Sequence, residues 1–177
     1  MRQIQYIMKP QDIVILLKII SDNNPQWNQS EMAKSLKLSQ SEISQFVARS
    51  KYSGLLDISG KKVMTLAFMD FLIHGLPYVF PQKPGPIVRG IPTAHSAQPI
   101  CNYIKGDEVF VWPYSKGNIK GQTIVPLYPT VPSAIEYDPK LHELLALVDI
   151  LRVGRAREKE MAKKELKQRI LNGNQGD

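Results

Sequence analysis

The stretch NQSEMAKSLKLSQSEISQFVARSKYSG, residues 28–54, decides the fold. It reads as two short helices joined by a tight turn. Asn28 can cap the first helix, with Glu31 in the capping-box position; Ser39 can cap the second, with Glu42 in the same place. A side-chain oxygen at each cap satisfies a main-chain N–H that has no partner within its helix, so both helix starts are written locally. Met32, Ala33, Leu36 and Leu38 give the first helix and the turn an inner face. Ile43, Phe46 and Val47 give the second helix its own at helical spacing. Small Ala33 lets the two helices cross closely. Lys37 occupies the turn at a position that tends toward a left-handed backbone, where glycine is easier.

Working outward, LLDISGKKVM (residues 55–64) reads as strand, tight turn, strand, with Ser59-Gly60 as the turn signal and Lys61 and Lys62 at the tip. A capped helix pair followed by a hairpin resembles the winged helix-turn-helix superfamily, and within it the broadly MarR-like regulators, over roughly residues 10–75. The resemblance implies a sequence-specific, double-stranded DNA-binding transcriptional regulator. Its recognition helix, residues 40–53, would lie in the major groove and its wing, residues 56–64, on the backbone.

The outward positions of the second helix are Gln40, Ser41, Ser44, Gln45, Ala48 and Arg49. Gln bonds adenine bidentately, and Arg bonds guanine or phosphate. Lys51, Lys61 and Lys62 suit phosphate contacts, which raise affinity without reading sequence. The expected DNA-binding set is therefore Gln40, Ser41, Ser44, Gln45, Arg49, Lys51, Lys61 and Lys62. The bland alternative is a row of solvated polar positions.

Composition agrees with an anionic partner. The chain of 177 residues carries 23 Lys+Arg against 16 Asp+Glu, a net charge of +7, with 43% hydrophobic residues. That is enough apolar content for a sizeable core. No apolar run is long enough to span a bilayer and no signal-type start is seen, so a cytoplasmic protein without membrane association is expected. The single cysteine, Cys101, fits a reducing compartment.

Before the helix pair, Pro10 suits a first helical turn and Asp12 its positive end. Ile13, Leu16, Leu17 and Ile20, broadened by Val14, Ile15 and Ile19, predict a deeply buried helix. Trp27 is expected to be a packing lid. After the hairpin, TLAFMDFLIHGL (65–76) predicts a helix with Leu66, Met69, Ile73 and Leu76 on its inner face, and Asp70 and His74 close enough to pair.

From Pro77 to Pro139 the chain holds 11 of its 13 prolines. The segment 80–92 is read as an ordered extended strap, neither helix nor central strand. Strands are expected over 108–112 and 119–127, paired as a hairpin through residues 115–118. Asp138-Pro139 opens a last helix whose Leu141, Leu144, Leu145, Val148 and Leu151 form an apolar stripe. That stripe is the expected face of a homodimer, since one recognition helix reads too few base pairs alone. Residues 152–169 hold eight basic and three acidic side chains, either a solvated helix or a basic arm.

The expected fold class is α+β, with a winged helix-turn-helix over 1–76, a small irregular Pro-rich β unit over 77–137 and a C-terminal helical segment over 138–172. No enzyme is expected. His95 and Cys101 lack a nucleophile elbow and an identifiable carboxylate, three histidines and one cysteine make a poor zinc set, and no phosphate-cradling loop calls for a cofactor. The competing function is an antitoxin-like interaction module that binds a partner protein from an adjacent gene and its own promoter.

Overall fold

In the computed structural model, which describes residues 6–172, both caps read from the sequence are made. The Asn28 side chain accepts the Glu31 N–H at the start of α2 (Gln29–Leu36), and Ser39 and Glu42 form a reciprocal capping box at the start of α3 (Gln40–Tyr52). Lys37 ends α2 with a left-handed backbone, φ 55°. α3 packs on α2 and on α1 (Pro10–Asp22), whose residues 11–17 are all buried. Trp27 is buried as expected, 4% exposed.

The hairpin is shorter than the sequence suggests. It is a single antiparallel bridge between Leu56 and Val63, flanked by the Asp57 N–H to Lys62 carbonyl bond (2.9 Å) and the Met64 N–H to Leu55 carbonyl bond (2.9 Å). The Asp57 carboxylate closes the turn by accepting from the Ser59 hydroxyl and the Lys61 and Lys62 amides. Those bonds hold its carboxyl below the usual range, the one from Lys62 first. Gly60 takes φ 73°, which the tight turn requires.

α4 (Thr65–His74) buries Phe68, Met69 and Leu72, while Leu66 is 72% exposed. Two overlapping helical stripes were available, and the one carrying the larger Phe68 faces the core. Asp70 and His74 both stay exposed. A single turn, α5 (Leu76–Val79), leads into the Pro-rich region.

That region contains a small closed sheet: β1 (Ile87–Pro92), β2 (Phe110–Pro113) and β3 (Ile119–Thr123). Two expectations are corrected here. The strap holds β1, which pairs on both sides, because Pro86 precedes the strand and Pro92 is its last residue, leaving Ile87–Ile91 free to pair. Nor do β2 and β3 form a hairpin. Both pair antiparallel with β1 (Ile91 opposite Trp112, Val88 opposite Gly121) and parallel with each other (Phe110 opposite Gln122). Gly90 permits this closure: a Cβ there would lie 1.9 Å from the Trp112 carbonyl oxygen, and one on Gly117 would lie 2.2 Å from that of Gly90.

After the one-turn α6 (Val131–Ala134), α7 (Pro139–Val153) runs through the centre of the molecule. Residues 144–151 are buried without interruption, because α1, α4, α5, the Ala94–Ser96 turn and α8 (Ala156–Leu171) surround it. This overturns the dimer face: Leu144 and Val148 are 4% and 0% exposed within one chain. The chain breaks helix at Gly154 and folds back, and α8 buries Ala162, Leu166 and Ile170 against α7 and α4. The architecture is mixed α and β around a shared hydrophobic core, to which residues 77–137 contribute Ile100, Phe110, Trp112, Ile124 and Val131. No helix among the described residues is long and apolar enough to cross a membrane.

Val148→Glu should therefore unfold the chain rather than yield a folded monomer. An unpaired charge in this position costs several kcal/mol against a total stability of about 5–15 kcal/mol. Far-UV circular dichroism and sedimentation measure the outcome, and a folded, soluble variant would return α7 to the surface.

Candidate nucleic-acid interface

The inner side of α3 is fixed by Ile43 and Phe46, both fully buried, and by a buried ion pair. Arg49 Nε and Nη2 donate to the two carboxylate oxygens of Asp12 at 2.9 and 2.7 Å. Asp12 also accepts the Lys9 N–H at 3.0 Å, so one carboxylate caps α1 and clamps α3. Arg49 is 5% exposed and Asp12 1%. Arg49 is thus removed from the DNA-facing set. A guanidinium at the edge of the outer face swings inward when a buried carboxylate offers a bidentate partner.

What remains outward is continuous. Gln40, Ser41, Ser44, Gln45, Ala48, Lys51 and Tyr52 are all exposed along one side of α3. The Gln45 amide donates to the Ser41 hydroxyl at 3.2 Å within the helix. Tyr52, outside the expected set, is 72% exposed and stacks on Tyr6 with ring centroids 4.0 Å apart. Its place twelve residues after Gln40, on the same face, was the available signal.

The two hairpin lysines part company. Lys62 is exposed and outside any ion pair among the described residues. Lys61 folds back instead. Its Nζ donates to the Trp27 carbonyl and sits 4.7 Å from the Trp27 ring centroid, while the Trp27 indole N–H donates to the Lys61 carbonyl at 2.9 Å. Lys61 anchors the hairpin to the helical body, and Ile58, 92% exposed, occupies the turn. Gly60 lies against Val47 and Lys51, so the turn borders one edge of the outward face of α3.

The opposite edge is held by the Pro-rich region. The Tyr128 hydroxyl donates to Glu42 Oε1 at 2.8 Å, and Thr130 Oγ1 donates to the Leu36 carbonyl at 2.8 Å. Glu42 is held below its usual range by Ser39 first and then by Tyr128, and the carboxylate in turn pushes the Tyr128 phenol up. These contacts span 86 and 94 residues of chain and carry no local sequence signal.

His95 and Cys101 make separate hydrogen-bond contacts, Cys101 Sγ lying 3.9 Å from Asn102 Oδ1. His95 Nε2 lies 2.7 Å from the Glu108 carbonyl oxygen, its Nδ1 is buried without a partner, and its ring meets Phe110 edge-on. Among the described residues no three His, Cys, Asp or Glu side chains converge as a metal site would require. No family model, no curated protein and no solved structure matches the chain.

Two outcomes follow from this geometry. Lys61→Ala should lower stability by about 1–2 kcal/mol, through loss of a hydrogen bond and a cation–π contact, whereas Lys62→Ala should stay within about 0.5 kcal/mol; urea denaturation measures both. Tyr128→Phe should move the Glu42 carboxyl up toward its ordinary range, read by NMR titration. A depressed folded-state pKa adds stability above the unfolded value and loses it as pH falls through the folded one. The difference between this variant and the parent should therefore be full at neutral pH and vanish once Glu42 is protonated.

Proposed function

We propose that the protein is a sequence-specific, double-stranded DNA-binding transcriptional regulator acting as a winged helix-turn-helix. In this reading α3 enters the major groove and the Leu56–Val63 hairpin rests on the backbone. The observation that carries it is the outward face of α3: a row of amides, hydroxyls and one lysine, exposed on a helix whose other side is held by a buried ion pair. Amides and hydroxyls at successive turns match the donors and acceptors of base edges in the major groove. A rigid mount matters because bidentate contacts tolerate little misplacement.

Gln40, Ser41, Ser44 and Gln45 are the base-reading candidates, and Lys51 and Lys62 the phosphate contacts. Arg49 and Lys61 support the site from behind. A homodimer would supply the second half-site that one helix cannot read. Its interface would have to lie away from α7, and the exposed Leu66 of α4 and Tyr78 of α5 mark apolar surface elsewhere.

The test is a selection from random duplex followed by anisotropy titration on the selected site and on random duplex. Gln45→Ala should weaken the selected site by about 1–3 kcal/mol and leave random duplex nearly unchanged. Absence of salt-dependent duplex binding by the parent protein would overturn the reading.

A further inference from the structure

The charge of this protein does not sit where α3 would use it. Residues 152–169 carry eight basic and three acidic side chains, five of the surplus of seven positive charges in the whole chain. On α3, by contrast, Arg49 is neutralised by Asp12, leaving Lys51.

The folding of α8 sorts these charges. All three of its carboxylates are engaged: Glu158 accepts the Arg155 N–H, Glu160 pairs with Lys163, and Glu165 pairs with Arg169. Arg157, Lys159, Lys164 and Lys167 have no carboxylate partner among the described residues. Ala162, Leu166 and Ile170 turn the opposite side of the helix into the core, so Arg157, Lys164 and Lys167 are all exposed along one strip. From Arg157 to Lys167 the strip is about 15 Å long. Beside its end lies a shallow groove of about 360 Å³ bordered by Lys163, Lys164, Lys167 and Gln168, with the Lys163-paired Glu160 also on its rim.

The strip is separated from α3 by other helices. α8 packs on α7 and α4, α7 packs on α1, and α1 packs on α3, so two helices intervene. We propose that α8 carries a second, sequence-independent nucleic-acid surface, and that the protein holds two duplex segments at once, one on each face. This rests on the reading of α3 as a duplex-binding helix. The strip suits a polyanion better than a protein. Protein interfaces are depleted in lysine and centre on apolar residues, whereas this strip is rich in lysine and the large apolar residues beside it, Met161 and Leu171, are half-buried against the core. A 15 Å row of cations also spans about four phosphates of one DNA strand.

The experiment uses the full chain, two duplexes labelled with a donor and an acceptor dye, and a parallel titration of one duplex against salt. The test variant is Arg157→Gln/Lys164→Gln/Lys167→Gln, three exposed changes to a good helix former, with circular dichroism confirming the fold. The parent should bring the two duplexes together. The variant should lose that transfer and keep single-duplex binding, and the parent's second binding step, whose log affinity falls against log salt with a slope of about 2.7, or 0.9 for each phosphate contact, should disappear. Transfer and second step unchanged in the variant would overturn the proposal, since bridging would then come from paired α3 faces. A parent that binds one duplex yet never joins two would overturn it and leave the α3 reading intact. No duplex binding at all would overturn both. Preference of the strip for polyglutamate over duplex would overturn it in favour of an acidic protein partner.

Discussion

One buried carboxylate joins the two halves of this molecule. Asp149, 1% exposed on the central helix α7, accepts hydrogen bonds from the Thr93 hydroxyl and the Trp112 indole at 2.7 Å each, and from Arg152 at 2.9 Å. Arg152 goes on to the main-chain carbonyls of Phe80 and Val125. The sheet, the strap and the loop after β3 are thus all tied to one helix. Burial pushes the Asp149 carboxyl above its usual range, with Arg152, Thr93 and Trp112 acting in the opposite direction. An apolar core of similar volume would satisfy stability alone, and breaking a buried pair costs about 3–5 kcal/mol. The network gives the Pro-rich segment a defined place, and with it the Tyr128 and Thr130 contacts that hold the α2–α3 turn.

Two further polar anchors follow the same plan. Asp12 caps α1 and clamps Arg49 of α3. Asp138 caps α7 through the Leu141 N–H at 3.0 Å and takes Lys18 of α1 at 2.6 Å. Burial works against the Lys18 ammonium, but Asp138 and Asp22 more than offset it, and its pKa is raised. Each acid completes a helix start and then holds a neighbouring helix in register. The outward face of α3 is consequently mounted on α1, α2 and the loop before α6, and Tyr6 lies against its end at Tyr52.

Local chemistry was legible in the sequence, and long-range pairing was not. The caps at Asn28 and Ser39, the left-handed Lys37 and the buried stripes of α1 and α3 follow from residues within a turn or two of each other. Arg49 could not be assigned, because its partner lies 37 residues away and both outward and inward rotamers fit the helix. The contact of Lys61 with Trp27 was hidden for the same reason, the two lying 34 residues apart. The stripe on α7 could be read as an open face because the partners that satisfy Asp149 and Arg152 inside, Thr93, Trp112, Phe80 and Val125, are all distant in sequence. The central strand was hidden by prolines whose effect stops at its two ends. Basic residues on α8 were legible as a group, but which of them remain unpaired depended on the fold.

The central claim is that the exposed face of α3 meets the duplex. Main-chain amide shift mapping of the full chain, titrated with a duplex recovered by selection, tests it most directly. The account predicts the largest perturbations at Gln40, Ser41, Ser44, Gln45 and Lys51, with smaller ones in the Leu56–Val63 hairpin. Perturbations confined to the sheet or to α7, with the amides of α3 unmoved at saturation, would contradict it.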